Sequence, residues 1–216
     1  MDLLDEESID DAKDEIAREL CYLCDLEDVI PEKVLVVGLG NSMLTADSIG
    51  TRSAEKVKPT LHIRNRDEVF FNALECSEIA ILLPGVAAKT GLDSFISVKG
   101  ISDIIKPDVI FVIDALMTRA EERLGTTIQI STTGILPGSG LGNSGAELSQ
   151  STLGVPVIAI GVPTVINSRC FGRKEANLSC IKKSEMFVSP KEIGEIAEVA
   201  AEIIGGGINQ AFGMTV

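Results

Sequence analysis

The sequence predicts an α/β fold in which a mainly parallel sheet has helices on both faces. Residues 34–37 and 108–116 contain apolar runs rich in β-branched side chains, which are typical of strands buried on both faces. Amphipathic segments at helical spacing alternate with such runs, as they do in parallel sheets. With 216 residues, of which 45% are hydrophobic, the chain is long enough for one large core. We therefore interpret residues 1–216 as a single domain.

The first half of the chain supplies three helices and three strands in this prediction. Apolar residues recur at helical spacing in the first segment, and Thr45 is placed as the N-cap of a helix that carries Asp47 in its first turn. The expected helices cover residues 6–24, 46–57 and 92–105. The expected strands cover residues 33–37, 61–63 and 77–83.

The second half is predicted to complete the sheet and to end in a helix. Residues 126–131 alternate polar and apolar side chains, which favours an edge or antiparallel strand. Pro190 is suited to the first turn of a helix that runs through Ile204 and ends at the glycines 205–207. The remaining expectations are strands at 108–114 and 155–160, the latter closed by Gly161 and Pro163, a charged helical turn at 117–124, irregular backbone at 134–143 and a surface excursion at 171–184.

Two aspartates follow the strongest strand signals. Asp47 comes after the first strand and its glycine-rich turn, and Asp114 comes after five apolar residues of a later strand. Because ligands of open α/β sheets bind beyond the carboxyl ends of the strands, both carboxylates are expected to face one cleft. Two carboxylates that share a cleft move each other's pKa apart, leaving an ionised base and a protonated acid. Such a pair can activate water for peptide hydrolysis, with the two roles left open because the pair titrates as a unit.

Composition excludes several other functions. The chain has 32 acidic and 19 basic residues, for a net charge of -13, whereas nucleic-acid binding requires a basic surface. The acidic N-terminus does not resemble a signal peptide, and no apolar run reaches membrane-spanning length. We therefore expect a cytoplasmic protein that has no membrane or nucleic-acid partner and needs no cofactor, with a basic protein partner favoured by charge.

Other motifs are weaker. The turn Gly38-Leu39-Gly40 lacks the third glycine of a dinucleotide site, where this chain has Met43. The loop GSGLGN at 138–143 lacks the Lys-Ser/Thr ending of a P-loop. Cys21 and Cys24 have CxxC spacing, but they fall within a helical pattern and have no second pair for zinc. No metal site is predicted, although the single histidine, His62, could complete a mixed site if it met Asp47 and Asp114.

Four strings in order along the chain carry a family resemblance: VVGLGNSMLTADSIG at 36–50, LPGVAAKTGLDS at 83–94, KPDVIFVIDALMTRAEERLGTTIQISTTGILPGSGLGN at 106–143 and ELSQSTLGVPVIAIGVPTVI at 147–166. With FVSPKEI at 187–193 and IIGGGIN at 203–209, they closely resemble the spore germination protease family. The resemblance implies an atypical aspartic endopeptidase with a fold like that of hydrogenase maturation proteases. It also implies Asp47 and Asp114 as the catalytic aspartates, small acid-soluble spore proteins as substrates during germination, location in the spore core of a sporulating organism, and a homo-oligomer, typically a tetramer, formed from a zymogen.

This chain departs from the family pattern at several places. Ala46 stands where the usual motif has proline. By comparison with the family pattern, we also expect the N-terminal propeptide region to be missing and the segment after PTV to be shortened. We therefore expect a short homologue, with spore proteins or a related protein as substrate. Apart from the two aspartates, the residues predicted to shape the cleft and bind substrate are Gly38, Gly40, Asn41, Gly85, Gly138, Ser139, Gly140 and Asn143.

Two alternative functions stay open at this point. The first is a metal-sensing maturation peptidase of the hydrogenase type, in which Asp47, Asp114 and His62 would hold a divalent ion of the substrate protein. The second is a binding or assembly module without catalysis, which would place the two carboxylates too far apart, or too deeply buried, to share a water molecule.

Overall fold

The computed structural model describes residues 6–139, 145–168 and 186–213. Its helices are α1 (Glu6–Leu26), α2 (Ile49–Lys56), α3 (Leu61–Arg66), α4 (Glu68–Asn72), α5 (Ala87–Thr90), α6 (Ser94–Ile105), α7 (Gln150–Leu153) and α8 (Ile193–Phe212). Its strands are β1 (Lys33–Gly38), β2 (Glu78–Leu82), β3 (Val109–Thr118), β4 (Gln129–Ser131), β5 (Val157–Asn167) and β6 (Phe187–Val188). Short 3₁₀ turns cover Thr45–Asp47 and Glu121–Arg123.

The strands form one mixed sheet in the order β2-β1-β3-β5-β4, with β6 paired to the end of β5. The pairs β1 with β2, β1 with β3, and β3 with β5 are parallel. Strand β4 pairs with β5 in the antiparallel sense at the sheet edge, which confirms the interpretation of residues 126–131. The predicted α/β class with a mainly parallel sheet is therefore correct.

Both faces of the sheet are covered by helices. Val34 and Val36 of β1 pack in a core with α1, α2 and α8, whereas Leu35 and Val37 pack in a second core with α6 and α7. Successive side chains of a strand point to opposite faces, so a strand buried on both sides needs an unbroken apolar run. The run at 34–37 was the signal for that arrangement. In the part of the chain that the structure describes, no helix is long and apolar enough to span a membrane.

Two short segments differ from the prediction: residues 61–63, and the start of the helix that was expected at 46–57. Residues 61–63 lie in helix α3 rather than in a strand. The residue before them, Thr60, is hydrogen-bonded to the edge of β2. Its N–H donates to the Ile79 carbonyl at 2.9 Å, and its Oγ1 accepts the Ile79 N–H at 2.7 Å. Thr60 therefore occupies this edge, and residues 61–63 continue from it as a helix. The predicted helix over 46–57 begins only at Ile49, and Asp47 ends a separate 3₁₀ turn before it.

Strands β3 and β5 both run further than the sequence suggested. Gly161 and Pro163 lie inside β5, where they were expected to end it. Gly161 faces Asp114, and a Cβ there would lie 2.3 Å from Leu116 Cδ1, so only glycine leaves room for the leucine. The Pro163 carbonyl points away from β3 and accepts the Gly125 N–H at 2.7 Å. In a strand, the N–H and C=O of one residue point to the same side, so the N–H that proline lacks would also have pointed away from β3. Its absence therefore breaks no hydrogen bond between β3 and β5.

Helix α8 continues through the glycines 205–207 to Phe212, so the predicted end at these residues is wrong. A Cβ at Gly205 would lie 2.5 Å from the Lys56 Cβ of α2, and one at Gly207 would lie 2.6 Å from Ile16 Cγ2 of α1. The glycines therefore permit close helix crossings, and this packing offsets their poor intrinsic helix propensity. The predicted surface excursion at 171–184 lies outside the described residues.

Candidate active site

Asp47 lies at the end of the 3₁₀ turn that follows β1. The backbone N–H of Asn41 donates both to the Asp47 carbonyl and to its carboxylate Oδ2, each at 2.9 Å. The Asp47 N–H donates in turn to the Leu44 carbonyl at 2.8 Å. Residues 41–47 therefore form a closed loop that holds the carboxylate through its own backbone.

Two glycines let this loop pack closely. Gly40 has a φ of +98°, and a Cβ there would lie 2.1 Å from the Asp47 carbonyl oxygen. A Cβ at Gly38 would lie 2.4 Å from the Gly50 carbonyl oxygen at the start of α2. Because both positions exclude a side chain, the glycine-rich turn brings Asp47 back over the end of β1.

Asp114 lies within β3, one residue beyond the end of its pairing with β1. The last β1 pair joins Gly38 to Ile113, whereas β3 continues to Thr118 beside β5. The sequence placed Asp114 at a strand end, so its position inside the longer strand is a correction. Its side chain is buried, with 7% of its surface exposed, and its Oδ1 accepts the Ala115 N–H at 2.9 Å.

The two carboxyl groups have different electrostatic environments. Burial raises the pKa of Asp114 to about 7, the Ala115 N–H opposes that rise, and the negative charge of Asp47 adds to it. Burial also raises the pKa of Asp47, and the Asn41 N–H opposes the rise. Since the charge of Asp47 acts on Asp114, the two groups are electrostatically coupled. At neutral pH the more deeply buried Asp114 is the group that readily holds a proton.

Both aspartates border one cavity of about 650 Å³. It is lined by the end of β3, by β5, by the Asp47 turn, by the segment at 135–139, and by Phe187 of β6 and the nearby Ser189. The residues that line it are Leu44, Ala46, Asp47, Asp114, Ala115, Leu116, Met117, Ile135, Leu136, Gly138, Ser139, Thr164, Val165, Phe187 and Ser189. The cavity therefore combines apolar side chains with a pair of carboxyl groups and several small polar residues.

The predicted substrate-binding residues divide into three groups. Gly138 and Ser139 line the cavity. Gly38, Gly40, Asn41 and Gly85 are not among its described lining residues, and the first three instead shape the Asp47 turn. Gly140 and Asn143 lie outside the described residues. A substrate-binding role for any of these residues stays a prediction.

Asn41 and Gly85 are tied to neighbouring segments. The Asn41 Oδ1 accepts the Lys89 Nζ of α5 at 2.7 Å and the Met43 N–H at 3.1 Å. Gly85 has a φ of +70° between β2 and α5, and its carbonyl accepts the Ser94 hydroxyl at 3.4 Å. Asn41 therefore links α5 to the loop that carries Asp47.

Thr164 is a polar cavity residue that the sequence analysis did not select. It lies where the β3–β5 register shifts, between the pairs Leu116 with Pro163 and Met117 with Val165, so it is the extra residue of a β-bulge. Its side chain is buried, and its hydroxyl has no hydrogen-bond partner among the described residues. The proline before it was the one sequence signal of irregular pairing.

His62 does not join the aspartates. It is exposed on α3, which lies beside the start of β2 through Thr60 and Arg64, whereas the aspartates lie near the carboxyl ends of the strands. Within residues 6–139, 145–168 and 186–213, no group of three or more His, Cys, Asp or Glu side chains is arranged to hold a metal ion. The described residues therefore do not bring His62 together with Asp47 and Asp114, as the metal-sensing alternative requires.

Comparisons with known proteins give one consistent family. The family described as Germination protease matches residues 4–173. The germination protease of Clostridium tetani is 35% identical over 232 residues, which cover 91% of this chain and 70% of that protein. The germination protease of Clostridium acetobutylicum is 35% identical over 246 residues, covering 97% and 74%. That of Caldanaerobacter subterraneus is 47% identical over 135 residues, covering 62% and 41%.

Among solved structures, the chain is similar to a [NiFe] hydrogenase maturation protease, HycI, from Thermococcus kodakarensis, with 21% identity and a TM-score of 0.47 over 85% of this chain and 98% of that one. It is also similar to an endopeptidase from Escherichia coli, with 18% identity and a TM-score of 0.41 over 83% of this chain and 93% of that one.

Proposed function

The chain belongs to the germination protease family, and from this premise we propose that it is an aspartic-type endopeptidase that uses Asp47 and Asp114. The observation that carries the proposal is the shared cavity, in which the charge of one carboxylate acts on a second, buried carboxyl group. A peptidase that uses water as its nucleophile needs one group to accept a proton from water and one to donate a proton to the substrate.

The environments of the two groups favour one division of roles. Asp47 is the ionised base, because it is less buried and the Asn41 N–H stabilises its negative charge. Asp114 is the protonated acid, because burial and the neighbouring charge raise its pKa to about 7. Asp47 takes a proton from the attacking water, and Asp114 donates a hydrogen bond or proton to the carbonyl oxygen. The leaving amine then receives the proton held by Asp47.

The resemblance supports small acid-soluble spore proteins as substrates. The net charge of -13 favours approach of basic segments of a substrate. We further propose that residues 1–216 act as one peptidase domain, in the cytoplasm or spore core, as a homo-oligomer. The family pattern also suggests zymogen control.

Substitution of each aspartate tests the proposal. The purified chain, Asp47→Asn and Asp114→Asn would each be incubated with a small acid-soluble spore protein, with and without a metal chelator, and fragments would be read by mass spectrometry. Asp14→Asn, at an exposed position of α1, is the matched control. We expect discrete cuts by the parent and the control, insensitive to chelator, and at least a roughly hundredfold lower rate in either cleft variant.

Two outcomes would reject this assignment. Cleavage at the parent rate by a folded Asp47→Asn or Asp114→Asn variant would exclude the residue as a catalytic group. Loss of cleavage on chelation would instead favour a metal-dependent reaction. Circular dichroism of each variant establishes that the loss of rate is not a loss of fold.

A further inference from the structure

Strand β3 has an unpaired edge inside the candidate active site. Its pairing with β1 ends at Ile113, whose carbonyl accepts the Leu39 N–H at 2.9 Å. Beyond that point the chain after β1 turns away toward Asp47, whereas β3 continues to Thr118 with β5 on its other side. Residues 114–118 therefore have a strand neighbour on one side alone, as far as the described residues show.

The direction of the backbone groups on this edge follows from strand alternation. In an extended strand, the N–H and C=O of one residue point to the same side, and those of the next residue point to the opposite side. The Ile113 carbonyl points toward β1, and the Ile110 N–H donates to the Pro156 carbonyl on the β5 side. Ala115 and Met117 therefore direct their backbone groups toward the unpaired edge.

Ala115 and Met117 each have one backbone N–H and one backbone carbonyl on this edge, and three of these four groups are available to a ligand. The Ala115 N–H is used by Asp114 Oδ1. The Ala115 carbonyl and both backbone groups of Met117 have no hydrogen-bond partner among the described residues. Ala115 and Met117 are only half-buried, and they line the same cavity as Asp47 and Asp114. Unpaired strand edges readily pair with another extended chain, and proteins commonly cover them where they serve no purpose.

We propose that this edge binds the substrate as an added β-strand. An extended segment of the protein substrate donates a backbone N–H to the Ala115 carbonyl and accepts the Met117 N–H through a carbonyl oxygen. Because Asp114 immediately precedes this edge, the same pairing brings the substrate backbone to the two carboxyl groups. The inference rests on the proposed peptidase function, and it adds the substrate conformation: an extended, unfolded segment recognised largely through its main chain.

A backbone-methylation scan tests the proposal on the substrate side. A short synthetic peptide that spans a cut mapped in a small acid-soluble spore protein would be N-methylated at one amide at a time, since each methyl group removes one donor. Strand pairing predicts an alternating pattern on one side of the cut, with kcat/KM lowered about fivefold or more at every second amide and little changed at the amides between them. Equal tolerance of every methyl group, or a loss without alternation, would overturn the proposal.

A substitution tests the enzyme side. Met117→Pro removes the N–H that faces the unpaired edge and should keep the β5 pairing, as Pro163 does in the adjacent strand. Met117→Leu keeps the N–H and an apolar side chain of similar size, so it is the matched control. We expect Met117→Pro to raise KM for the unmodified peptide about fivefold or more relative to Met117→Leu.

A binding measurement separates this inference from the proposed function. In Asp114→Asn, amide exchange at Met117 would be followed with and without the unmodified peptide, and strand pairing predicts slower exchange in its presence. If the aspartate substitutions abolish cleavage, but the methylation scan shows no alternation and the peptide does not slow exchange at Met117, the strand proposal is overturned and the peptidase proposal stands. Protection at Met117 in a chain that cleaves nothing would support strand binding and reject the peptidase. Absence of both cleavage and protection would reject both.

Discussion

The burial of Asp114 should make the stability of the folded chain fall with rising pH, and Asp114→Asn should remove that dependence. In the fold the pKa of this carboxyl is raised from 3.8 to about 7 by burial and by the charge of Asp47. A raised carboxyl pKa means that the native state prefers the protonated form. The native state is therefore favoured below the unfolded pKa, and this advantage is lost as the pH rises through about 7.

The size of the effect follows from the two pKa values. At roughly 1.4 kcal/mol per pKa unit, the interval from 3.8 to about 7 corresponds to about 4 kcal/mol of unfolding free energy. Asparagine has nearly the same shape, and its side-chain oxygen can still accept the Ala115 N–H. It does not ionise, so the variant avoids the cost of a buried charge. We expect Asp114→Asn to match the parent near pH 4 and to exceed its stability by up to about 4 kcal/mol near pH 8.

Urea unfolding followed by circular dichroism at several pH values measures this difference. Glu198 and Glu202 have lowered pKa values through hydrogen bonds with Lys56 and Lys13, respectively, so the stability that their ionised forms contribute is lost in acid. Their contribution is common to both proteins and cancels in the comparison. A stability difference that stays constant across the pH range, or one that favours the parent at high pH, would refute the assignment of Asp114 as a carboxyl group with a raised pKa.

Three further predictions concern rate and packing. The rate constant kcat/KM should fall as the pH rises above about 7, because Asp114 loses its proton; a pH profile that is flat there would exclude it as the acid. Gly207→Ala should lower the unfolding free energy by about 1–3 kcal/mol, because the new Cβ would clash with Ile16. Gly100→Ala, where the new Cβ would lie in open space on α6, should raise the unfolding free energy by about 0.5–1 kcal/mol. Thermal unfolding of the two variants measures the difference. Thr164→Val should raise the unfolding free energy by about 1 kcal/mol, because its buried hydroxyl has no described partner; destabilisation in the same assay would show that the hydroxyl is bonded.

The errors in the sequence prediction have local physical causes. The tripeptide at 61–63 is too short to carry a periodic signal, and the hydrogen bonds of Thr60 to β2 decided its structure. The glycines 205–207 read as a helix end because glycine is a poor helix former. The packing of α1 and α2 against those glycines keeps them helical. In each case a contact with a residue distant in sequence overrode the local preference.

The greater length of β3 and β5 also results from contacts between distant residues, and it affects the candidate active site. Gly161 and Pro163 are ordinary signals for the end of a strand. Within the sheet, Gly161 makes room for Leu116, and Pro163 directs its missing donor away from β3. The extension creates both the bulge at Thr164 and the unpaired edge at Ala115 and Met117. No window of the sequence contains that information, because it depends on where β1 ends relative to β3.

The amino-acid pattern was sufficient to predict the parallel sheet and the proximity of Asp47 and Asp114. Apolar runs without polar alternation indicate strands that are buried on both faces, and parallel strands bring their carboxyl ends to one edge of the sheet. Two aspartates that follow such strands are therefore expected to lie close together. The folded arrangement set how deeply each carboxyl group is buried, and that burial raises the pKa of Asp114 to about 7. It also decided which backbone groups face the cleft, because burial and strand register are set by contacts between residues far apart in the chain.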